Sequence, residues 1–562
     1  MKFTTAGCSL LAVSLSTALQ RDQQPLALHQ DVTSEKPVEV AIIGAGAAGA
    51  SAAYYLAQYA HNASVPLNIT IFEANSYIGG RSTTVNAYDL TDDDLADLRA
   101  LVSNLEDEYE YSVELGASIF VSINKILKDA VDAFNLTIKS GDDNPKGHTG
   151  SDLGIWDGES FIVELDGSLN GYWDVAKLLW KYGLAPVKTQ RLMKTVVGKF
   201  MRMYEEPIFP FTAGLTAAAQ AVGLTAVTAA TGEQYMRENG IKGAFGREIV
   251  QASTRVNYAQ NLEFIHGLEA MVCMATDGAV AVEGGNWRIF QNMIEASGAH
   301  VLLGERVSEI IELDVGGHAI STSSQQVWRG DHIIIAGPYQ YTNITSSMLD
   351  EKHAFHKPDP IPYVELHVTL FTSPHLLSPT FFNLPPDKAV PQVVLTSLPD
   401  GEPAGSGQES VGKPGFFSIS LLRSIVNPKT GADEYLYKIF SPESPTSAWL
   451  EALLGIKPED SNPNRNSEDI TWLYRKVWNS YPYEYPRMTF ESTKLKDGIW
   501  YTGGMDSFIS TMETNALMGK NVARLIVDEE KLMKQRQSNS GLGEEEHERV
   551  QGMTQMKGKL DL

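Results

Sequence analysis

Val38-Glu39-Val40-Ala41-Ile42-Ile43 runs directly into Gly44-Ala45-Gly46-Ala47-Ala48-Gly49. The first six residues are a short apolar run of strand type. The next six are a complete G-x-G-x-x-G. A small-residue helix is predicted from Ala50 to Ala57, then a second strand from Leu67 to Phe72 that ends at Glu73, 24 residues after Gly49. Strand, glycines, helix, strand and acid in this order give the glycine motif the context it needs. Each residue type has a task. Gly44 permits the tight turn, Gly46 lets backbone approach a pyrophosphate, and Gly49 lets helix pack on strand. The helix start offers free N–H groups and the positive end of its dipole to phosphate. Glu73 accepts hydrogen bonds from a ribose diol. The unit is a Rossmann-type dinucleotide site.

Ile78-Gly79-Gly80-Arg81 follows the acid. It resembles the second glycine motif of the amine-oxidase and phytoene-desaturase class of flavoproteins. In that class Gly80 and Arg81 would meet the FAD pyrophosphate from the far side. A guanidinium suits this through its permanent charge and two-pronged geometry. The resemblance therefore selects FAD over a nicotinamide cofactor.

Working outward, 562 residues exceed one ordinary core. The expected class is α/β (α+β), a Rossmann-type FAD-binding domain with an interleaved substrate domain of sheet plus helices. The FAD-binding domain is expected in three parts, residues 38–140, 280–345 and 495–527. A helical substrate lobe is expected over 150–275 and a substrate-domain sheet over 355–490. Asp89 to Glu110 is acidic and reads as an exposed insertion. The charged tail, 528–562, reads as disordered.

The net charge of −24 makes nucleic acid a poor partner. Residues 1–18 read as a signal peptide, with Lys2, an apolar core from Cys8 to Leu19, and small residues at 16–18. That core is too short to span a bilayer, and no later stretch reads as a transmembrane helix, which leaves room for peripheral membrane contact. Asn62, Asn68, Asn135 and Asn343 each open a glycosylation sequon. Asn68 is the weakest, because it starts a strand. The secretory route follows as an expectation, ending in the lysosome or vacuole or outside the cell. If Cys8 leaves with the leader, Cys273 stands alone in Met271-Val272-Cys273-Met274-Ala275 and reads as a buried structural thiol. No Cys/His cluster has zinc-ligand spacing, so no metal is expected.

Several further segments resemble one family, the prenylcysteine oxidases (prenylcysteine lyases). They are Glu114-Leu115-Gly116-Ala117-Ser118-Ile119, Arg255-Val256-Asn257-Tyr258-Ala259-Gln260, Ala281-Val282-Glu283-Gly284-Gly285-Asn286 and Gly498-Ile499-Trp500-Tyr501 with its closing helix. With the two glycine motifs they span about residues 38 to 527. The resemblance implies FAD, O2 and a small prenylated substrate. It implies cleavage of the thioether of farnesyl- or geranylgeranyl-cysteine to isoprenoid aldehyde, cysteine and H2O2. The competing reading is a flavin oxidoreductase of the same fold acting on another prenylated or secondary-metabolite compound.

On this resemblance Gly116 approaches the flavin and Val307 meets the adenine through its backbone. Gly504, Thr511 and Met512 lie where the last helix points its N-terminus at the flavin pyrimidine. Glu283 is the candidate base for water, and Asn286 the candidate orienter of substrate or flavin. The alternative gives both a structural role, with Glu283 exposed in a turn and Asn286 capping the Trp287 helix. Arg255 is the candidate partner of the substrate carboxylate, with Tyr258 and His266 as further substrate contacts.

Overall fold

Strand β1 (Val38–Ile43), helix α1 (Ala47–Ala63) and strand β2 (Leu67–Glu73) form the expected unit. The two strands pair in parallel, Val38 opposite Leu67 and Ile43 opposite Phe72. Their Ile and Val residues are apolar on both faces because the sheet is covered on both sides. Strand β3 (His300–Leu303) pairs with β2, and β4 (His332–Ile335) pairs with β1 on its other side. Strands β5 (Lys494–Lys496) and β6 (Ile499–Tyr501) complete a six-stranded sheet of order β5-β6-β4-β1-β2-β3. The cofactor domain is thus collected from three separated stretches of chain, as expected. The computed structural model describes residues 36–91, 94–95, 111–140, 145–166, 171–314, 316–346, 357–456 and 466–557. The expected leader, and most of the acidic stretch 89–110, lie outside the described residues.

A second sheet of seven strands runs in the order Trp472–Pro482, Tyr363–Ser373, Asp433–Ser441, Ser418–Val426, Val393–Thr396, Leu153–Trp156, Phe161–Leu165. Its last two members correct the expectation of a helical lobe from residue 150. Leu153–Trp156 pairs in parallel with Val393–Thr396 and buries Ile155 and Trp156. Long-range pairing, which leaves no local signal, converts that segment to sheet.

The helices that matter for the site are α2 (Lys125–Ala133), α3 (Gly171–Tyr182), α4 (Ala185–Met201), α5 (Gln251–Tyr258), α6 (Gly267–Cys273), α7 (Trp287–Ser297) and α8 (Met512–Lys557). Helix α1 packs against α7 and α8. Its run of Ala and Gly is the reason for the close α8 crossing. A Cβ at Gly519 on α8 would sit 2.1 Å from the Ala48 carbonyl oxygen, and the Ser51 hydroxyl donates to the Ala516 carbonyl at 2.6 Å.

Helix α8 also corrects the expectation of a disordered tail from residue 528, since it continues to Lys557. The charges taken as a mark of disorder anchor it instead. Glu529 pairs with Lys494 at 2.8 Å, Glu530 with His332 at 2.8 Å, and Arg524 with Asp528 one turn on at 2.8 Å. Val38–Leu562 cluster as one compact unit. Among the described residues no helix is long and apolar enough to cross a membrane.

Candidate active site

The first glycine turn is built as the motif requires. A Cβ on Gly49 would lie 1.9 Å from the Gly44 carbonyl oxygen and 3.2 Å from Ile42 Cγ2, so only glycine lets α1 start against β1. Gly46 bridges to Gly79, and the Gly79 N–H donates to the Ala45 carbonyl at 3.0 Å. Gly80, at φ +60°, would carry a Cβ 3.3 Å from Gly46 Cα. The two glycine turns therefore stand back to back, with the tight approach on the Gly80 side.

Helix α1 has no acidic residue in its first turn and no side-chain cap at Gly46, which leaves its amides open to an anion. Glu73 is buried at the end of β2. One oxygen accepts the Ala45 N–H at 2.8 Å, and the other accepts the backbone and side-chain N–H of Asn75. The first oxygen, Oε2, retains a lone pair for a ribose hydroxyl, while Oε1 has spent both on Asn75. Val307 begins a strand of a separate four-stranded sheet. Just before it, the Glu305 N–H donates to the Glu73 carbonyl at 2.9 Å, which ties the start of that strand to the end of β2.

Arg81 lies across from this turn, in a network that the sequence did not disclose. Its guanidinium grips Asp506 at 3.0 and 3.1 Å and the Ser480 carbonyl at 2.8 Å. Asp506, buried, also accepts from Tyr363 Oη at 3.0 Å and Asn515 Nδ2 at 2.8 Å. Burial works against the Arg81 charge, and Asp506 outweighs it and holds the pKa above the ordinary value. Asp506 thus ties the Gly-Gly-Arg turn to the start of α8. About one third of the Arg81 side chain stays open, enough to meet an anionic group from the far side.

Gly504 is buried beside Glu491. Thr511 and Thr514 exchange hydrogen bonds at the start of α8. Glu513 turns away from this helix and caps another, accepting the Ile126 and Leu127 N–H groups of α2 at 2.9 Å each and the Tyr204 hydroxyl at 2.7 Å. An apolar pocket opens at this point. Its walls include Phe120, Val197, Phe200, Tyr258 and Cys273, with Ile509 to Thr514 less Ser510 at its foot. Met512 is thus brought against the pocket, and Cys273 is confirmed as a buried thiol that also lines it.

Gly116 sits in a loop that touches Arg81. A Cβ there would lie 3.0 Å from Trp478 Cζ2 and 3.6 Å from the Arg81 carbonyl oxygen. Two residues pin this loop. Buried Asn286 ties it to the Val282 strand: Nδ2 donates to the Ala117 carbonyl at 2.8 Å, Oδ1 accepts the Val282 N–H at 2.9 Å, and its backbone N–H donates to Glu114 Oε1 at 2.6 Å. Lys438 enters from the large sheet and donates to the Glu114 carbonyl at 2.7 Å and Ser118 Oγ at 2.9 Å. Burial pushes the Glu114 carboxyl up and the Lys438 ammonium down. Lys438 lies in a strand by pattern, so nothing local marked it as part of the site.

Three expected roles change. Asn286 is not a side-chain cap, because α7 has no side-chain cap bond. Its amide makes one hydrogen bond through each of Nδ2 and Oδ1, both to protein. Glu283 lies half-buried in a turn, with its N–H on the Thr137 carbonyl and its C=O on Arg288. The turn is a structural one, and nothing presents Glu283 as a base. Arg255 is fully buried and spent on Thr396 Oγ1, Asn261 Oδ1 and the carbonyls of Ser410 and Val411, at 2.6–3.0 Å. It locks α5 to the large sheet and has no fork left for a carboxylate.

Tyr258 does face the pocket, with its hydroxyl donating to the Ser510 carbonyl at 3.0 Å. His266 does not. It is buried behind Tyr258 in a cluster with Glu269 and Glu484, their ligand-type atoms all within 4.8 Å of one another. His266 Nδ1 accepts the Glu269 N–H at 3.0 Å. The proton of the neutral ring is therefore on Nε2, which faces Glu484 Oε2 at 3.4 Å. A proton and not a lone pair points at the carboxyls, which disfavours a metal there. Burial holds His266 down to about 4 and raises Glu269 to about 8 and Glu484 well above its ordinary value. Glu269 therefore keeps its proton at neutral pH, beside a neutral His266.

Residues 166–539 match the family model described as prenylcysteine lyase, and residues 42–134 match an NAD(P)-binding Rossmann-like domain. Farnesylcysteine lyase of Arabidopsis thaliana is 27% identical over 516 residues, covering 88% of this chain and 89% of that protein. Human prenylcysteine oxidase 1 is 25% identical over 512 residues, covering 87% and 88%. Among solved structures, a CLA-producing fatty acid isomerase from P. acnes aligns with TM-score 0.52 at 13% identity, covering 87% of this chain and 99% of that one. A putrescine oxidase triple mutant aligns with TM-score 0.51 at 14% identity, covering 88% and 99%. These likenesses show a shared fold.

Proposed function

The chain belongs to the prenylcysteine lyase family, and from that premise we propose that it is an FAD-dependent oxidoreductase that cleaves the thioether of farnesyl- or geranylgeranyl-cysteine. The balance is one prenylcysteine, one O2 and one water to one isoprenoid aldehyde, one cysteine and one H2O2. One observation carries the reading. The paired glycine turns and Arg81 are joined through Asp506 to the start of α8, whose first residues line an apolar pocket.

FAD, when bound, supplies the two-electron acceptor. The rest falls to this chain. The amides of α1 and the open face of Arg81 hold phosphate. Glu73 holds the ribose. The amide end of α8 faces the pocket and favours negative charge there. Phe120, Val197 and Phe200 give a prenyl tail an apolar wall and exclude bulk water. Asn286 and Lys438 hold the loop at Gly116 in place beside Arg81. The relatives named as farnesylcysteine lyase and prenylcysteine oxidase support the substrate class.

The reading extends to the secretory route, with the lysosome, the vacuole or the outside of the cell as its end. Asn62, Asn68, Asn135 and Asn343 are all exposed, which supports glycosylation at each.

Adding farnesylcysteine without oxygen to the flavin-loaded protein tests the proposal. The yellow colour should bleach, return with air, and leave farnesal, cysteine and H2O2 in equal amounts. A protein that stays yellow would instead place another prenylated or apolar molecule in the pocket.

A further inference from the structure

Helices α3 and α4 form a hairpin whose turn, around Gly183 and Leu184, projects apolar side chains into solvent. Trp180 is 91% exposed, Leu184 67% and Val175 54%. Isolated apolar residues on a surface are ordinary, but a nearly bare Trp four residues from an exposed Leu at a helix turn marks a contact surface. The charge around it is equally unusual. Residues 171–202 carry seven Lys and Arg and a single acid, Asp174, in a chain of net charge −24. Lys177 is paired with Asp166 and Asp174, and Lys181 with Glu248. Lys188, Arg191 and Lys194, on successive turns of α4, are exposed, and among the described residues none has a carboxylate at ion-pair distance. The same helix has two ends with different tasks. Its first turns flank the apolar tip, and its last, through Val197, Phe200 and Met201, line the pocket. Leu184 to Phe200 is about 24 Å along the helix.

We propose that the α3–α4 hairpin docks on a bilayer that carries anionic phospholipid. Trp180 and Leu184 enter the headgroup region, while Lys188, Arg191 and Lys194 meet the lipid phosphates. Both halves are needed for that assignment. An indole and a branched alkyl group suit the headgroup–acyl boundary, and the basic rim suits its negative potential. An acidic macromolecule would use the cations and leave Trp180 in water. An electrically neutral apolar partner would use Trp180 and gain nothing from the cations. The rest of the chain is strongly acidic on balance, which the same lipid repels and which favours this orientation. If the pocket takes a prenylated compound, which rests on the function proposed above, α4 leads from the membrane where such a compound partitions to the pocket that takes it.

Flotation of the FAD-loaded protein with vesicles tests the docking without any turnover, so it stands or falls apart from the substrate. Phosphatidylcholine vesicles with added phosphatidylserine should carry the protein upward, and phosphatidylcholine alone should carry about tenfold less or worse. High salt should release it. The double variant Trp180→Ser with Leu184→Ser, and separately Lys188→Glu with Arg191→Glu, should each lose about tenfold or more of the binding. Flavin content and melting temperature, read on the same samples, should match the parent protein, since none of these side chains is buried. Failure of the parent protein to float with anionic vesicles overturns the proposal. So does undiminished flotation of the Trp180/Leu184 variant. Binding lost only in the charge variant would assign the patch to an acidic macromolecule instead.

Discussion

Asn286 and Glu269 show how burial decides what a polar residue is for. Asn286 connects the Val282 amide, the Ala117 carbonyl and Glu114. Asn286→Ala leaves at least two buried backbone groups unsatisfied, which costs about 1–3 kcal/mol each. The expected outcome is a melting temperature several degrees lower, with weakened FAD retention because the Gly116 loop is freed. A variant that melts like the parent and keeps its flavin, yet turns over slowly, would restore the orienting role. Glu269 poses a question of pH. Its folded value is raised to about 8 from an ordinary 4.5. A raised carboxyl contributes its stability below the ordinary value and loses it as pH rises toward the folded one, because the unfolded chain ionises first. The parent protein should therefore melt progressively lower than Glu269→Gln between pH 5 and pH 8. His266 and Glu484 titrate against Glu269, so the slope belongs to the buried cluster as a set. Thermal melts at three pH values check it, and a difference that stays constant across the range rejects the buried-acid assignment.

At the scale of elements, the α1–α8 crossing is the joint on which the cofactor domain depends. It can be that close only because Ala48, Ala52 and Gly519 leave no side chains between the backbones. Gly519→Val forces three heavy atoms into this contact. The cost should exceed the usual 1–3 kcal/mol of overpacking, about the upper end or beyond, because the obstacle is the Ala48 carbonyl and not a movable side chain. Denaturant midpoints of Gly519→Val against Gly519→Ser would show a graded loss. Equal midpoints for both variants and the parent would mean that the helices do not touch there. The end of α8 carries a second lesson. A charged stretch low in aromatics was taken for a tail without structure. Lys494 and His332 on the sheet supply partners for Glu529 and Glu530, and composition cannot reveal partners some 35 and 198 residues away.

Across the whole molecule, charge is distributed and not merely abundant. A net −24 excluded nucleic acid as a partner for the average surface. It hid a hairpin of opposite sign, which a sum over 562 residues cannot show. The same holds for the core. One hydrophobic cluster runs from β1 through α4, α6 and α7 to α8, so the cofactor unit and the helical lobe share their packing. Destabilising either should lower flavin retention and melting temperature together.

The sequence by itself determined the dinucleotide unit. Strand, glycines, helix and acid are local in the chain, and Gly49 is demanded by the Gly44 carbonyl five residues before it. It also determined the three-part return of the cofactor domain and the family. Tertiary structure alone decided the fates of Arg255, Asn286 and Glu283. A polar side chain is available to a ligand only if no buried carbonyl, amide or carboxylate has claimed it, and those claimants come from strands and loops far away in the chain. The same reason explains why Asp506, Lys438 and the His266–Glu269–Glu484 cluster were not legible. Their meaning lies in what folding sets beside them: Arg81 across 425 residues for Asp506, and Glu114 across 324 for Lys438.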